Sequence, residues 1–172
     1  GCVFVFTDAA TTEIYTLSLH DALPISTVVV DGAHTVKSLE AGTMTLQQDL
    51  GLDGGPVIFG ALDDKPIDQM VAALQSYATE LIIFESGHPR TAAASDMQRA
   101  AHGMKTTIVK NAAESLRLAK TSVRSGQGVL ATGSLAVAAD VRAASGLATA
   151  LDPPNLWAQS RRLRNSLPGG AG

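Results

Sequence analysis

At 172 residues, with 45% apolar residues and a formal net charge of −3, the chain has the size and composition of one compact globular domain and not two. Its basic and acidic side chains are interspersed, which excludes the broad basic footprint needed to bind a nucleic-acid backbone. No run of roughly 18 apolar residues is present to span a membrane as a helix. Aromatic residues are few and the one cysteine is Cys2, so the core is expected to be built from Ala, Val, Leu and Ile, without disulfides or a cysteine-ligated metal.

Residues 1–25 are expected to be an artefactual, unstructured leader. The run EIYTLSLHDALPI, Glu13 to Ile25, reads as the conceptual translation of a common short-read sequencing adapter, and the match continues upstream in frame to Asp8 with one mismatch at Ala9. Segments of that kind are set aside before fold reasoning. The natural polypeptide is then expected to begin near Ser26, in mid-gene. The competing reading is an ordinary strand and helix, since GCVFVF is apolar and EIYTLSLHDAL has roughly helical spacing. A signal peptide fits poorly, because Asp8, Glu13 and Asp21 interrupt the apolar region and no basic segment precedes it.

From Thr27 onward, short apolar runs alternate with helical stretches. TVVVD, PVIFGAL, ELIIFES, TTIVK and GVLATGS are the predicted strands, and their lack of polar alternation is the mark of a parallel sheet covered on both faces. The fold class is therefore α/β, a doubly wound, mostly parallel Rossmann-like sheet. Between the strands, Val36, Leu39, Leu46 and Leu50 form one helical stripe; Ile67, Met70, Val71 and Leu74 form a second; Leu116, Ala119 and Val123 form a third. Pro66 is placed for the first turn of a helix and Asn111 for an N-cap. The domain is expected to cover 26–148. A tail follows at 149–172, with a break at Asp152-Pro153-Pro154, a short helix over 155–163 docked by Trp157, a solvated face of Arg161, Arg162 and Arg164, and a disordered PGGAG end.

In such a sheet, ligands meet the carboxyl ends of the strands. Five tips carry polar or small residues: 31–34, 60–65, 86–90, 110–111 and 132–134. Asp31-Gly32-Ala33-His34 sets a carboxylate and an imidazole beside a turn, although in isolation the pair reads better as a cap and a surface histidine. Gly133-Ser134 offers close main-chain approach and a hydroxyl. In His88-Pro89-Arg90, the arginine can project a fork of donors suited to a carboxylate, or stand as a surface cation. His102 is read as exposed in a polar helical stretch.

These segments resemble a family. VVVDGAHTVKSLEAG is similar to the DGAHN strand–turn–helix of folylpolyglutamate and dihydrofolate synthases, VIFGALDDKPIDQMVAAL to their V-F-G-x-L-x-D-K-D segment, HPRTA to their P-R-A element, and VLATGSLAVAADVRA to their closing V-T-G-S-L…V-R. The resemblance covers about Thr27 to Leu147, the C-terminal domain of these Mur-ligase-type enzymes. It implies a cytoplasmic, monomeric, ADP-forming ligase that uses ATP and magnesium to join L-glutamate to dihydropteroate or a tetrahydrofolate. By that resemblance Asp31, Gly32 and His34 face the nucleotide, with Asp31 and His34 catalytic. Gly133 and Ser134 hold the amino acid, Arg90 takes a substrate carboxylate, and Lys65 completes the rim. No protein-bound metal is expected in this part.

Two positions depart from the pattern: Thr35 stands for the family's asparagine and Pro66 for its second aspartate. No G-x-x-x-x-G-K-[ST] phosphate loop occurs in the chain, so a truncated, inactive piece of the ligase is expected, with magnesium and triphosphate held mainly by a central domain. The alternatives are a stand-alone α/β nucleotide-binding or regulatory module, and the C-terminal domain of a peptidoglycan Mur ligase.

Overall fold

Four strands whose side chains are buried on both faces dictate the architecture, since each must be covered from above and below. The computed structural model describes residues 27–146, together with the backbone of Cys2–Asp8 and Thr11–Leu17. In chain order the elements are β1 (Cys2–Asp8), β2 (Thr11–Leu17), β3 (Thr27–Asp31), α1 (Val36–Gln48), β4 (Gly55–Phe59), α2 (Ile67–Leu74), β5 (Ala78–Ile83), α3 (Ala94–Ala100), β6 (Thr106–Ile108), α4 (Ala112–Ser122), β7 (Gly128–Thr132) and α5 (Leu135–Ala144).

The strands from β3 onward are all parallel, in the order β3-β7-β4-β5-β6. Strand residues alternate between two cores. Val29, Leu130, Val57, Phe59, Leu81 and Ile83 point to the layer of α1, α2 and α3, where they meet Leu39, Leu46, Met70, Leu74 and Met97. Val28, Val30, Val129, Ala131, Ile58 and Ile82 point the other way, to Leu116 and Ala119 of α4 and Val137 and Val141 of α5. Each fully buried Val, Leu or Ile contributes about 1.5–3 kcal/mol through water exclusion. The predicted sheet and its five parallel strands are thus the observed ones, and the three stripes face the cores, although Leu50 and Val123 pack there from just beyond the ends of α1 and α4.

Boundaries differ where side chains settle them. Pro66 is the N-cap of α2, one residue before the first turn, and Thr35 is the N-cap of α1. Thr35 forms a capping box: its Oγ1 accepts from Ser38 N at 3.2 Å, and Ser38 Oγ accepts from Thr35 N at 3.0 Å. A threonine therefore supplies the cap oxygen that an asparagine would bring. Asn111 caps α4 as expected, accepting from Glu114 N at 2.9 Å. His102 is exposed but lies in the turn after α3, not in a helix.

The leader, expected to lack structure, adds two strands at the edge. The backbone of β1 runs parallel to β3, and β2 pairs antiparallel with β1. An unpaired edge of β3 would leave open amides and carbonyls, and an extended segment of any origin satisfies them. The short helix and Trp157 docking expected in 149–172 lie outside the described residues.

At the amino end of the sheet, Glu80 is buried and its carboxylate lies 2.7 Å from Lys105 Nζ. Burial alone would push this carboxyl up; hydrogen bonds from Lys105 and Ser122 and the lysine charge override it and hold it below its ordinary value of 4.5. A depressed carboxyl stabilises the fold above that ordinary value and loses its contribution as pH falls through the folded value. Lys105→Ala is expected to lower unfolding free energy by about 1–2 kcal/mol at pH 7. The difference should shrink below pH 4.5 as Glu80 protonates, which urea unfolding at neutral and acid pH measures.

Candidate functional site along the carboxyl edge

Strand β7 returns between β3 and β4, and its helix α5 packs on the face opposite α1 and α2. Chain segments leaving adjacent strand ends therefore part to opposite sides of the carboxyl edge, the position at which ligands meet sheets of this kind. The loops that border it are joined rim to rim by main-chain hydrogen bonds. Gly133 N donates to Ala33 O at 3.0 Å, Gly60 N to Thr132 O at 3.4 Å, Asp63 N to Arg90 O at 2.8 Å and Ala92 N to Ala61 O at 2.9 Å. Every sequence-predicted site residue lies on one of these loops or at the strand end that feeds it.

At the β3 tip, Asp31 faces inward and is only 7% exposed. Its Oδ1 accepts from Ala33 N at 3.0 Å, and its Oδ2 occupies the space that a β-carbon on Gly42 would enter. Asp31 thus shapes the turn from within. His34 stands outside, exposed, with Nδ1 3.0 Å from Gly32 O. A carbonyl can only accept, so Nδ1 carries the proton, and in the neutral imidazole Nε2 is the acceptor.

Beside it, Gly133 adopts φ +104, and a β-carbon there would meet Gly60 O and the Phe59 ring at 2.7 Å. Only glycine lets the β7 tip pass so close to β4. Ser134 is buried, and its hydroxyl caps α5 by accepting from Val137 N at 3.2 Å. The next residue, Leu135, is 69% exposed and overhangs Gly32, where a β-carbon would lie 2.5 Å from its Cδ2.

On the far side of β7, Asp64 stands between two cations, 3.7 Å from Lys65 Nζ and 3.6 Å from Arg90 Nη1. All three side chains are partly open to water, so the pairs are weak and exchangeable. His34 and Arg90 project from strands three positions apart, roughly 14 Å at about 4.8 Å per strand. The two ends of the crest cannot act on one atom; they suit an extended ligand or two ligands side by side.

Several contributors carried no sequence signal. Glu85 Oε1 accepts from Ala94 N at 2.9 Å and so caps α3 from a distance, while Asp140 of α5 accepts from Gly87 N at 3.3 Å and ties down the β5–α3 loop. Burial pushes the Asp140 carboxyl up, with the Gly87 hydrogen bond partly offsetting it. Both contacts join residues distant in sequence, which periodicity cannot reveal. Among the described residues no group of three or more His, Cys, Asp or Glu gathers that could hold a metal ion.

A doubly wound α/β domain with polar loops gathered at a strand-order reversal defines a domain of the Rossmann-like class, whose ligands meet the carboxyl edge. The comparisons make the assignment definite: residues 19–135 match the profile of the Mur ligase, glutamate ligase domain, and the chain belongs to that family. The dihydrofolate synthase/folylpolyglutamate synthase of Bacillus subtilis is 28% identical over 115 residues, covering 67% of this chain and 27% of that enzyme. Among solved structures, the Mycobacterium tuberculosis folylpolyglutamate synthase complexed with ADP and AMPPCP has a TM-score of 0.62 at 21% identity, over 67% of this chain and 29% of that one. Escherichia coli FolC in complex with DHPP and ADP has a TM-score of 0.61 at 23% identity, over 69% and 28%. The chain therefore spans little more than a quarter of the length of these relatives.

The local geometry separates structural from exposed groups. Ser134→Ala is expected to cost about 1 kcal/mol through loss of its cap, and Gly133→Ala about 2 kcal/mol or more through backbone strain and overlap. His34→Ala should stay within about 0.5 kcal/mol. Denaturant unfolding of the three variants gives the ranking directly.

Proposed function

We propose that this chain is the amino-acid- and nucleotide-contacting domain of an ATP-dependent folylpolyglutamate/dihydrofolate synthase, a cytoplasmic monomeric ligase that joins a folate carboxylate to L-glutamate. The observation that carries the reading is the crest itself: an imidazole acceptor at one end, a lysine–arginine pair at the other, and a span between them long enough for two ligands. Membership of the glutamate ligase domain family supports it, as does similarity to the B. subtilis synthase.

In the reaction, a carboxylate oxygen of dihydropteroate or a tetrahydrofolate attacks the terminal phosphorus of ATP and ADP departs. The amine of glutamate then adds to the acyl phosphate, and collapse of the tetrahedral adduct expels phosphate and leaves the amide. Magnesium, when bound, offsets the phosphate charge. On this reading both the metal and the triphosphate belong to the larger remainder of the enzyme, of which the chain matches 27%.

The crest of this domain supplies the other side of the site. His34 presents Nε2 as an acceptor toward a nucleotide hydroxyl or the incoming amine, and Asp31 acts through the turn it braces. Gly32 and Gly133 let ligand approach the main chain. Ser134 contributes the start of α5, with its hydroxyl already engaged in the cap. Arg90 and Lys65 together hold a carboxylate of glutamate, which takes the place of Asp64 between them; a guanidinium is the better fork for a planar carboxylate. Closure of the domain over the acyl phosphate excludes the water that would hydrolyse it.

The test is a chimera in which residues 26–148 replace the matching segment of the B. subtilis enzyme. Folate- and glutamate-dependent ADP release is expected, whereas the isolated chain should give none. His34→Ala in the chimera should lower kcat/KM by about tenfold or more. Arg90→Ala should raise the KM for glutamate by about tenfold and leave that for ATP nearly unchanged. Equal effects on the two substrates would remove Arg90 from the glutamate site.

A further inference from the structure

Arg90 owes its place to its neighbours, because its side chain is 57% exposed and its ion pair with Asp64 is 3.6 Å long. The main chain around it is held far more firmly. Thr91 N donates to His88 O at 3.1 Å, closing a four-residue turn over His88–Thr91 with Pro89 at the second position and Arg90 at the third. Proline pre-sets the backbone for that second position. Inside the turn, Arg90 N donates to His88 Nδ1 at 3.1 Å. This is the bond an Asp, Asn or Ser side chain makes when it opens a turn, with an imidazole nitrogen in the place of the oxygen.

The histidine is itself anchored on both sides. Its backbone N donates to Ser86 Oγ at 3.4 Å, and its carbonyl accepts from Thr91 Oγ1 at 2.8 Å. Ser86 is buried, and its hydroxyl lies 2.7 Å from that of Thr91. Asp140 fixes Gly87, the residue before His88, from the opposite layer. On the far side of the turn, Arg90 O accepts from Asp63 N at 2.8 Å, which docks the turn on the loop that bears Lys65 and Asp64.

We infer that His88 is a positioning residue: through an unprotonated Nδ1 it holds the Arg90 amide, and thereby sets where the guanidinium stands relative to Lys65 and Asp64. The inference deepens the carboxylate-binding role proposed for Arg90 and rests on it for its functional consequence. The geometry demands one tautomer, with the proton on Nε2, because an N–H at Nδ1 cannot accept the Arg90 amide. His34, on the same crest, requires the opposite tautomer.

The experiment uses the full 172-residue chain, labelled with nitrogen-15. At pH 8 the His88 imidazole is expected to show a bare Nδ1 and a protonated Nε2, and the Arg90 amide to be protected from hydrogen exchange. His88→Ala should accelerate Arg90 exchange by about tenfold or more, with amides of the central strands unchanged. His88→Asn, whose side-chain oxygen can occupy the acceptor position, should restore protection to within about threefold. A protonated Nδ1, or Arg90 exchange that is the same in wild type and His88→Ala, would overturn the inference. In the chimera, His88→Ala should raise the KM for glutamate more than that for ATP, and His88→Asn should recover most of the loss. If the exchange results hold while both KM values stay put, positioning stands and the glutamate role of Arg90 falls.

Discussion

Burial of the sheet on both faces is the constraint from which the rest follows. Side chains of β3, β7, β4 and β5 are committed alternately to two apolar layers, so polar chemistry is pushed to the strand ends. The insertion of β7 between β3 and β4 then parts the loops at one of those ends. A crest results whose spacing is that of the sheet, and whose loops are bonded to one another through main-chain groups that substitutions other than proline leave in place.

That constraint explains what could be read from the residues and what could not. Apolar runs such as TVVVD and GVLAT can only be buried strands, and the stripes of α1, α2 and α4 follow from spacing alone, so the parallel sheet and three of its helices were legible, whereas α3, α5 and the edge strands β1 and β2 were not. The shared placement of the candidate residues followed from the same logic, since Asp31, His34, Lys65, Arg90, Gly133 and Ser134 all stand at strand tips or on the loops that leave them. Which of these groups faces outward was not legible. Asp31 and His34 are three residues apart, yet one is folded under α1 and the other is open to water; the difference lies in Gly42, eleven positions further on, which leaves room for the carboxylate. Ser134 reads as a ligand hydroxyl and also caps α5 as an acceptor, a use that local sequence supports equally well and that leaves the hydroxyl proton to donate. The bracing by Asp140 depends on a contact between layers, and that by Glu85 and His88 on the course of an irregular loop, where no periodicity exists to betray it.

Family membership and geometry support each other without duplicating each other. The family match fixes the kind of domain, and the likeness to synthase structures below 25% identity fixes its fold. Neither says how this chain holds its own loops. The capping box at Thr35, the turn at His88 and the contact between Gly87 and Asp140 are particular to these residues, and they set how rigidly the exposed groups are presented.

The hydrogen bonds between neighbouring loops give the rim the character of a ruler. Its graduations are the strand-to-strand steps of the sheet; an exposed mark such as His34 can be exchanged without shifting the next, whereas Gly133, set against Gly60, cannot. A ligand laid along such a rim would be gauged by length as well as by charge, and new chemistry can be tried at an exposed graduation while the calibration of the others is preserved.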